Sequence, residues 1–249
     1  MKRLVVVTGA AGGIGYATVK LFVKKGWEAI GVDIKEPEAP IDGAAFELCD
    51  LADPAAIESF AASVSKRYEA LHGLVNNAAM QVCKPLVEVT AEDFDISMAT
   101  NLRAVFLMTR HLYPLLKACK GAVVNTASVH SLATSADISP YAASKGGVLA
   151  VTRSMAIEFA KDNVRANAVL PGAVNTPMLH AGLSRGHVSG GTVEDRMADL
   201  GSKTVMGRVG EPGEIAHAIY FLVDPEWSSF VTGHGLVADG GALTRLSTE

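Results

Sequence analysis

"RLVVVTGAAGGIG" occupies residues 3–15, and its reading decides the fold. Leu4 to Val7 run without a polar break, the pattern of a strand covered on both faces. Gly9 ends the run, and Gly12, Gly13 and Gly15 lead into a helical pattern with Ile14, Ala17, Thr18, Leu21 and Phe22 on one face. A strand, a glycine turn and a helix start, in that order, leave backbone N–H groups and the positive end of a helix dipole at the strand's end. That combination suits a phosphate. Such a turn also serves tight helix–strand packing, and glycines at 9, 12, 13 and 15 do not match G-x-G-x-x-G. The turn takes its meaning from the rest of the chain.

That rest repeats the alternation. "WEAIGVD" (27–33), "AAFELCD" (44–50), "HGLVNNA" (72–78), "GAVVNTAS" (121–128), "VRANAVLPG" (164–172) and "GLVAD" (235–239) have strand character. Between them lie helices at 92–117, 140–161 and about 212–223, and one that starts at Asp53-Pro54, an N-cap followed by proline at the first helical position. Ile57, Phe60, Ala61 and Val64 give that helix its buried face. The pattern predicts an α/β fold: one doubly wound, Rossmann-like parallel sheet of about seven strands with helices on both faces. No linker or repeat divides residues 1–249, so a single domain is expected. Residues 177–206 carry no strand pattern and several glycines, and such a segment inside a compact domain is expected to be a lid over a ligand.

Composition narrows the classes. A net charge of -4 gives no basic field for nucleic acid or an anionic membrane. Cys49, Cys83 and Cys119 are scattered and odd in number, without metal-ligand spacing, which predicts reduced thiols and no metal site. The N-terminal apolar run is too short for a signal peptide, and no run reaches the length of a spanning helix. A cytoplasmic protein is expected.

Ligands of such sheets bind beyond the carboxyl ends of the strands. Asp33 ends the second strand, where a carboxylate can accept both ribose hydroxyls of an adenosine and repel a 2′-phosphate. No Arg or Lys lies within 9–15, and Lys35 is the nearby cation. NAD is therefore expected over NADP. Asp50, at the end of the third strand, reads either as an adenine-side residue or as a cap for the next turn. Near the middle of the chain, "DISPYAASKGG" (137–147) sets Tyr141 one helical turn before Lys145. A free phenol titrates near 10, and bringing it to neutrality takes about 4 kcal/mol. A cation ~4 Å away at an effective dielectric of about 20 supplies that much. The pair reads either as a solvated tyrosine and lysine or as a tuned phenol: Lys145 plus the positive nicotinamide ring of the expected cofactor can make Tyr141 a proton acceptor, and Ser128, at a strand end, can hold a substrate oxygen.

"TGAAGGIG" (8–15), "NNAA" (76–79), Asn101, Ser128, "YAASK" (141–145), "PGAVNT" (171–176), "GRVGEPGEIA" (207–216) and "VADGG" (237–241) occur in the order and spacing of the short-chain dehydrogenases/reductases. The chain resembles that family over essentially its whole length. Ala79, where the family usually has glycine, and Ala127, where serine is common, are small departures. The resemblance implies a catalytic tetrad of Asn101, Ser128, Tyr141 and Lys145, with Asn101 holding a water on a proton path from Lys145. It also implies a cofactor cradle of Gly9, Gly12, Gly13, Ile14, Gly15, Asp33, Asp50, Leu51, Asn77, Ala78, Tyr141, Lys145, Pro171, Gly172, Val174 and Thr176.

The resulting expectation is an NAD-dependent oxidoreductase acting on a secondary alcohol or ketone, such as a sugar, polyol or cyclic alcohol. Ser128, Gln81 and His130, with Val82, Ser131, Ala173 and the lid, would form the substrate pocket. A 3-oxoacyl reductase is the alternative. A nucleotide-sugar epimerase fits less well because only 104 residues follow Lys145. A non-catalytic NAD-binding sensor would have no use for a matched base. His180, Arg185, His187 and Arg196 read as solvated lid side chains. Apolar residues on more than one side of the 140–161 and 212–223 helices, including Ile157 and Phe221, predict an interface. With them the resemblance implies a homotetramer.

Overall fold

The computed structural model describes residues 2–184 and 191–244. Its strands are β1 (Leu4–Thr8), β2 (Glu28–Asp33), β3 (Ala44–Leu48), β4 (Gly73–Asn76), β5 (Ala122–Thr126), β6 (Arg165–Pro171) and β7 (Gly235–Ala238). They form one sheet in the order β3-β2-β1-β4-β5-β6-β7, with every neighbouring pair parallel. The expected doubly wound sheet is what the chain forms. β1, β4, β5 and β6 are buried along their whole length, which explains their unbroken apolar runs. Val5 and Val7 pack with α1 (Gly13–Lys24) and α8 (Pro212–Val223) on one face. Leu4 and Val6 face the core shared with α2 (Pro54–Arg67), α4 (Ala104–Cys119) and α5 (Ser139–Phe159).

Local chemistry sets the element ends. The Asp53 carboxylate accepts from Ala55 N at 2.9 Å, Pro54 opens α2, and Ile57, Phe60, Ala61 and Val64 are its buried residues. Arg165, buried at the start of β6, donates to the carbonyls of Leu222 (2.7 Å) and Val223 (2.8 Å) at the end of α8. It also donates to Ser228 Oγ at 3.1 Å. Ser228 ends α9 (Pro225–Ser228). The guanidinium thus satisfies helix-end carbonyls that would otherwise be orphaned.

Two segments differ from the sequence reading. The helix expected at 92–117 is α3 (Ala91–Met98), a wide π turn over Ala99–Arg103, and then α4. A π turn inserts one residue into the ladder and leaves no mark on a 3.6-residue periodicity. The segment at 177–206, expected to lack a strong helical pattern, contains α6 (Pro177–Leu183) and α7 (Val193–Ser202). Thr176 caps α6, while Thr192 and Asp195 form a reciprocal capping box on α7. Arg185 and His187 lie outside the described residues. The base of the segment is pinned: Val174 bridges Gly210, Asn175 N donates to Gly210 O at 2.8 Å, and Met206 N donates to Gly240 O at 3.0 Å. Among the described residues no helix is long and apolar enough to cross a membrane.

Candidate active site

Strand order reverses between β1 and β4, so the carboxyl ends of these two strands open a crevice. The glycine turn lines it. Gly9 has φ +66° and lies so close to Ala78 that a Cβ would stand 2.7 Å from Ala78 Cα. A Cβ on Gly15 would meet Gly9 O at 1.9 Å, so only glycine permits this helix–turn approach. Around Gly12, by contrast, nothing lies within 4 Å of a Cβ position. Gly12 is the N-cap of α1, no side chain caps the helix there, and its first turn holds no acidic residue. Uncapped N–H groups beside open space fit a pyrophosphate.

The crevice is braced from β4. Asn77 Nδ2 donates to Thr8 O (3.1 Å) and Gly9 O (3.3 Å), while the Asn77 and Ala78 amides donate to Thr8 Oγ1 at 2.9 and 3.0 Å. Thr8 is a site residue that the sequence reading missed; a threonine just ahead of a glycine turn was the available signal. At the end of β2, Asp33 Oδ2 accepts from Ala11 N at 2.9 Å and Oδ1 from Ile34 N at 2.8 Å. The carboxylate is therefore fixed against the glycine turn. Lys35 is exposed. Asp50 lies beyond β3, exposed, with Oδ1 accepting from Ala52 N at 2.8 Å, so it caps that turn with its other oxygen outside the bond. Leu51 beside it is buried. On the far side, Gly172 N donates to Ala238 O at 3.1 Å, Val174 is buried, and Thr176 sits against Gly13, where a Cβ would be 3.1 Å from Thr176 Cγ2. The "PGAVNT" segment thus closes over the glycine turn.

Tyr141 and Lys145 occupy the first turns of α5, beside the ends of β5 and β6. Lys145 is buried; its Nζ donates to Thr126 O at 2.6 Å and stands 5.5 Å from the Tyr141 ring centroid. Ser128, also buried, accepts from His130 N at 3.2 Å. Burial dominates the electrostatics. It drives Lys145 down from its ordinary 10.5 to about 7. It pushes the Tyr141 phenol up, against a lowering hydrogen bond with Ser128. Burial thus works against the charged form of both groups, and the expected shift of Tyr141 toward neutrality has to come from Lys145 and the nicotinamide charge together.

Asn101 is buried in the π turn. Its Oδ1 accepts from Met80 N (2.8 Å), and its Nδ2 donates to Met80 O (2.9 Å) and Ser144 Oγ (3.0 Å). Ser144 Oγ in turn donates to Tyr141 O at 2.7 Å. Both N–H groups and one Oδ1 lone pair of the Asn101 amide are thus taken within the protein. Thr126, Asn125 and Ser144 complete the support of this corner and went unmarked in the sequence, because single buried polar residues show no periodicity. His130 meets the Tyr141 ring edge to face, with centroids 5.9 Å apart. Gln81 lies under α6, with Oε1 3.6 Å from the Cβ position of Gly182. His180, read as solvated, is exposed but holds Asn175 Oδ1 at 2.8 Å, and Arg196 donates to Leu183 O.

The comparisons with known proteins agree with this arrangement. A family model described as enoyl-(acyl carrier protein) reductase matches residues 9–243. A chloroplastic tropinone reductase homologue of Arabidopsis thaliana is 39% identical over 196 residues, which make up 78% of this chain and 58% of that protein. A 3-oxoacyl-[acyl-carrier-protein] reductase of Thermotoga maritima is 34% identical over 97% of this chain and 98% of its own. The 2,5-dichloro-2,5-cyclohexadiene-1,4-diol dehydrogenase of Sphingobium indicum is 36% identical over 96% of both chains. Among solved structures, the aldohexose dehydrogenase of Thermoplasma acidophilum superposes with a TM-score of 0.93 at 28% identity, covering 99% of this chain and 96% of that one. The family match, the sheet order and the crevice at its switch point together make this chain a member of the short-chain dehydrogenase/reductase family of nicotinamide-dependent oxidoreductases acting on small molecules.

Proposed function

We propose that this chain is an NAD-dependent dehydrogenase acting on a secondary alcohol or ketone, with a sugar, polyol or cyclic alcohol as substrate. The carrying observation is the buried Lys145 paired with Tyr141 beside Ser128, at the strand ends that hold the glycine turn. Nicotinamide, when bound, accepts or gives the hydride. Tyr141 takes the proton of the substrate hydroxyl in oxidation and returns it in reduction. In its protonated state, Lys145 next to the phenol favours the phenolate as the proton moves. Ser128 Oγ holds the substrate oxygen. Asn101 acts through the Met80 backbone and Ser144, as a positioning residue. In this reading, the turn of Gly9, Gly12, Gly13, Ile14 and Gly15 takes the pyrophosphate. Asp33 takes the adenosine ribose, Leu51 and Asp50 flank the adenine, and Asn77, Ala78, Pro171, Gly172, Val174 and Thr176 line the rest of the cradle.

Asp33 supports NAD over NADP, because its carboxylate is held by two backbone amides and cannot easily swing from a 2′-phosphate. Residues 177–206, pinned at the base through Val174, Asn175 and Met206, act as the lid of a single-domain enzyme. The diol and aldohexose dehydrogenases to which the chain is similar favour a hydroxylated substrate. A cytoplasmic homotetramer is the proposed form: Ile157 is 79% exposed on α5, and Phe230 is fully exposed beyond α9. Initial-rate assays of NADH and NADPH formation with a panel of sugars, polyols and cyclic alcohols test the function. Turnover with NAD on at least one class supports it, and a preference for NADP or no turnover refutes it. Light scattering after size exclusion tests the assembly; a monomer at micromolar concentration refutes it.

A further inference from the structure

We propose that His130 is a specificity-determining residue that selects substrates carrying a second hydroxyl next to the reacting one, so that the substrate class is a neutral vicinal diol or polyol. This rests on the secondary-alcohol reading above. His130 is held on three sides. Its backbone N donates to Ser128 Oγ at 3.2 Å, its Nδ1 lies 3.2 Å from Thr134 Oγ1, and its ring meets Tyr141 edge to face at 78°. It is therefore bound to one group assigned to the reacting oxygen and packed on the other. With its backbone on Ser128 and its ring on Tyr141, His130 stands beside the place assigned to the reacting oxygen.

Nε2 has no partner among the described residues. Burial holds the imidazole below its usual pKa, so at neutral pH it carries no charge with which to attract a carboxylate or phosphate. A neutral imidazole offers at Nε2 either a lone pair or an N–H, set by what Nδ1 does. A hydroxyl satisfies both states, whereas a carbonyl or an ether oxygen satisfies only one. The surroundings favour the lone pair: Thr134 Oγ1 also reaches Ser135 O at 3.5 Å, and a proton turned that way makes Nδ1 the donor and Nε2 the acceptor.

In the oxidation, the reacting C–H leaves as hydride to NAD and its O–H proton goes to Tyr141. The neighbouring hydroxyl keeps its bonds and donates to His130 Nε2, and the product is an α-hydroxy ketone. The test compares kcat/KM with NAD on 1,2-cyclohexanediol and 2,3-butanediol against cyclohexanol and 2-butanol. It uses wild type, His130→Phe, which keeps an aromatic ring beside Tyr141, and His130→Gln, whose amide oxygen can accept. Wild type should favour the diols at least tenfold, His130→Phe should bring the ratio to near one, and His130→Gln should keep part of the preference. A wild type that oxidises the mono-alcohols as well as the diols overturns this inference alone. So does a His130→Phe variant that lowers both classes equally, the mark of a structural role. No NADH from either class, nor from the sugars and polyols of the panel above, overturns the secondary-alcohol reading as well.

Discussion

Replacing Lys145 with Met should remove activity and at the same time stabilise the fold near neutral pH. Lys145 is buried, and its ammonium has one carbonyl partner, Thr126 O. Burial lowers it from 10.5 to about 7, so the unfolded chain binds a proton that the folded chain gives up between those values. At about 1.4 kcal/mol per tenfold, holding the ammonium in the fold below pH 7 costs ~5 kcal/mol. Methionine removes that cost but leaves Thr126 O without its donor, a loss of about 1–3 kcal/mol. A net gain of ~2–4 kcal/mol raises Tm by roughly 4–16 °C in a chain of this size. The sign with pH is specific. Because the unfolded wild type holds the extra proton between about 7 and 10.5, wild-type stability rises through that window. The variant's advantage is therefore full below pH 7 and gone near pH 10.5. Thermal melts of both proteins at pH 6.5 and pH 10 measure it. A variant less stable than wild type at pH 6.5, or an advantage unchanged at pH 10, refutes the reasoning.

Asp33→Ser should narrow the NAD preference, expected at tenfold or more (~1.4 kcal/mol), by weakening NAD and relieving NADP together. It also removes a carboxylate oxygen from Ala11 N; initial rates at subsaturating cofactor show the outcome, and an unchanged ratio contradicts the role. Arg165→Met should destabilise by about 1–3 kcal/mol, because it strips the donors from Leu222 O, Val223 O and Ser228 Oγ at the end of α8. Denaturant unfolding measures this, and a loss under ~1 kcal/mol would mean that water replaces the guanidinium.

The parallel sheet was legible because β1, β4, β5 and β6 are buried on both faces and so carry continuous apolar runs, while Asp53-Pro54 marks a helix start by capping chemistry alone. The π turn was not legible, since the helices on either side of the inserted residue each keep an ordinary 3.6-residue pattern. α7 was hidden by its polar face, although Thr192 and Asp195 spell out a capping box. At the site, residue types with chemistry of their own (the glycines, Asp33, Tyr141, Lys145) were readable by position. Thr8, Thr126 and Ser144 were not, because their hydroxyl and carbonyl contacts depend on which strand ends the fold brings together. Electrostatics was the least legible part: spacing places Lys145 by Tyr141, but only the burial of both shows that the lysine yields its proton more readily than the phenol.

The most direct test of the account is the turnover of Tyr141→Phe, measured beside its affinity for NADH. General acid–base catalysis by a placed side chain contributes about 10²–10⁴ in rate. Phenylalanine keeps the ring against His130 and near Lys145 and removes only the hydroxyl. The account predicts a fall in kcat of at least a hundredfold with NADH affinity within a few-fold of wild type. A variant that keeps more than about a tenth of wild-type kcat, a loss under ~1.4 kcal/mol, would show that Tyr141 is not the proton acceptor.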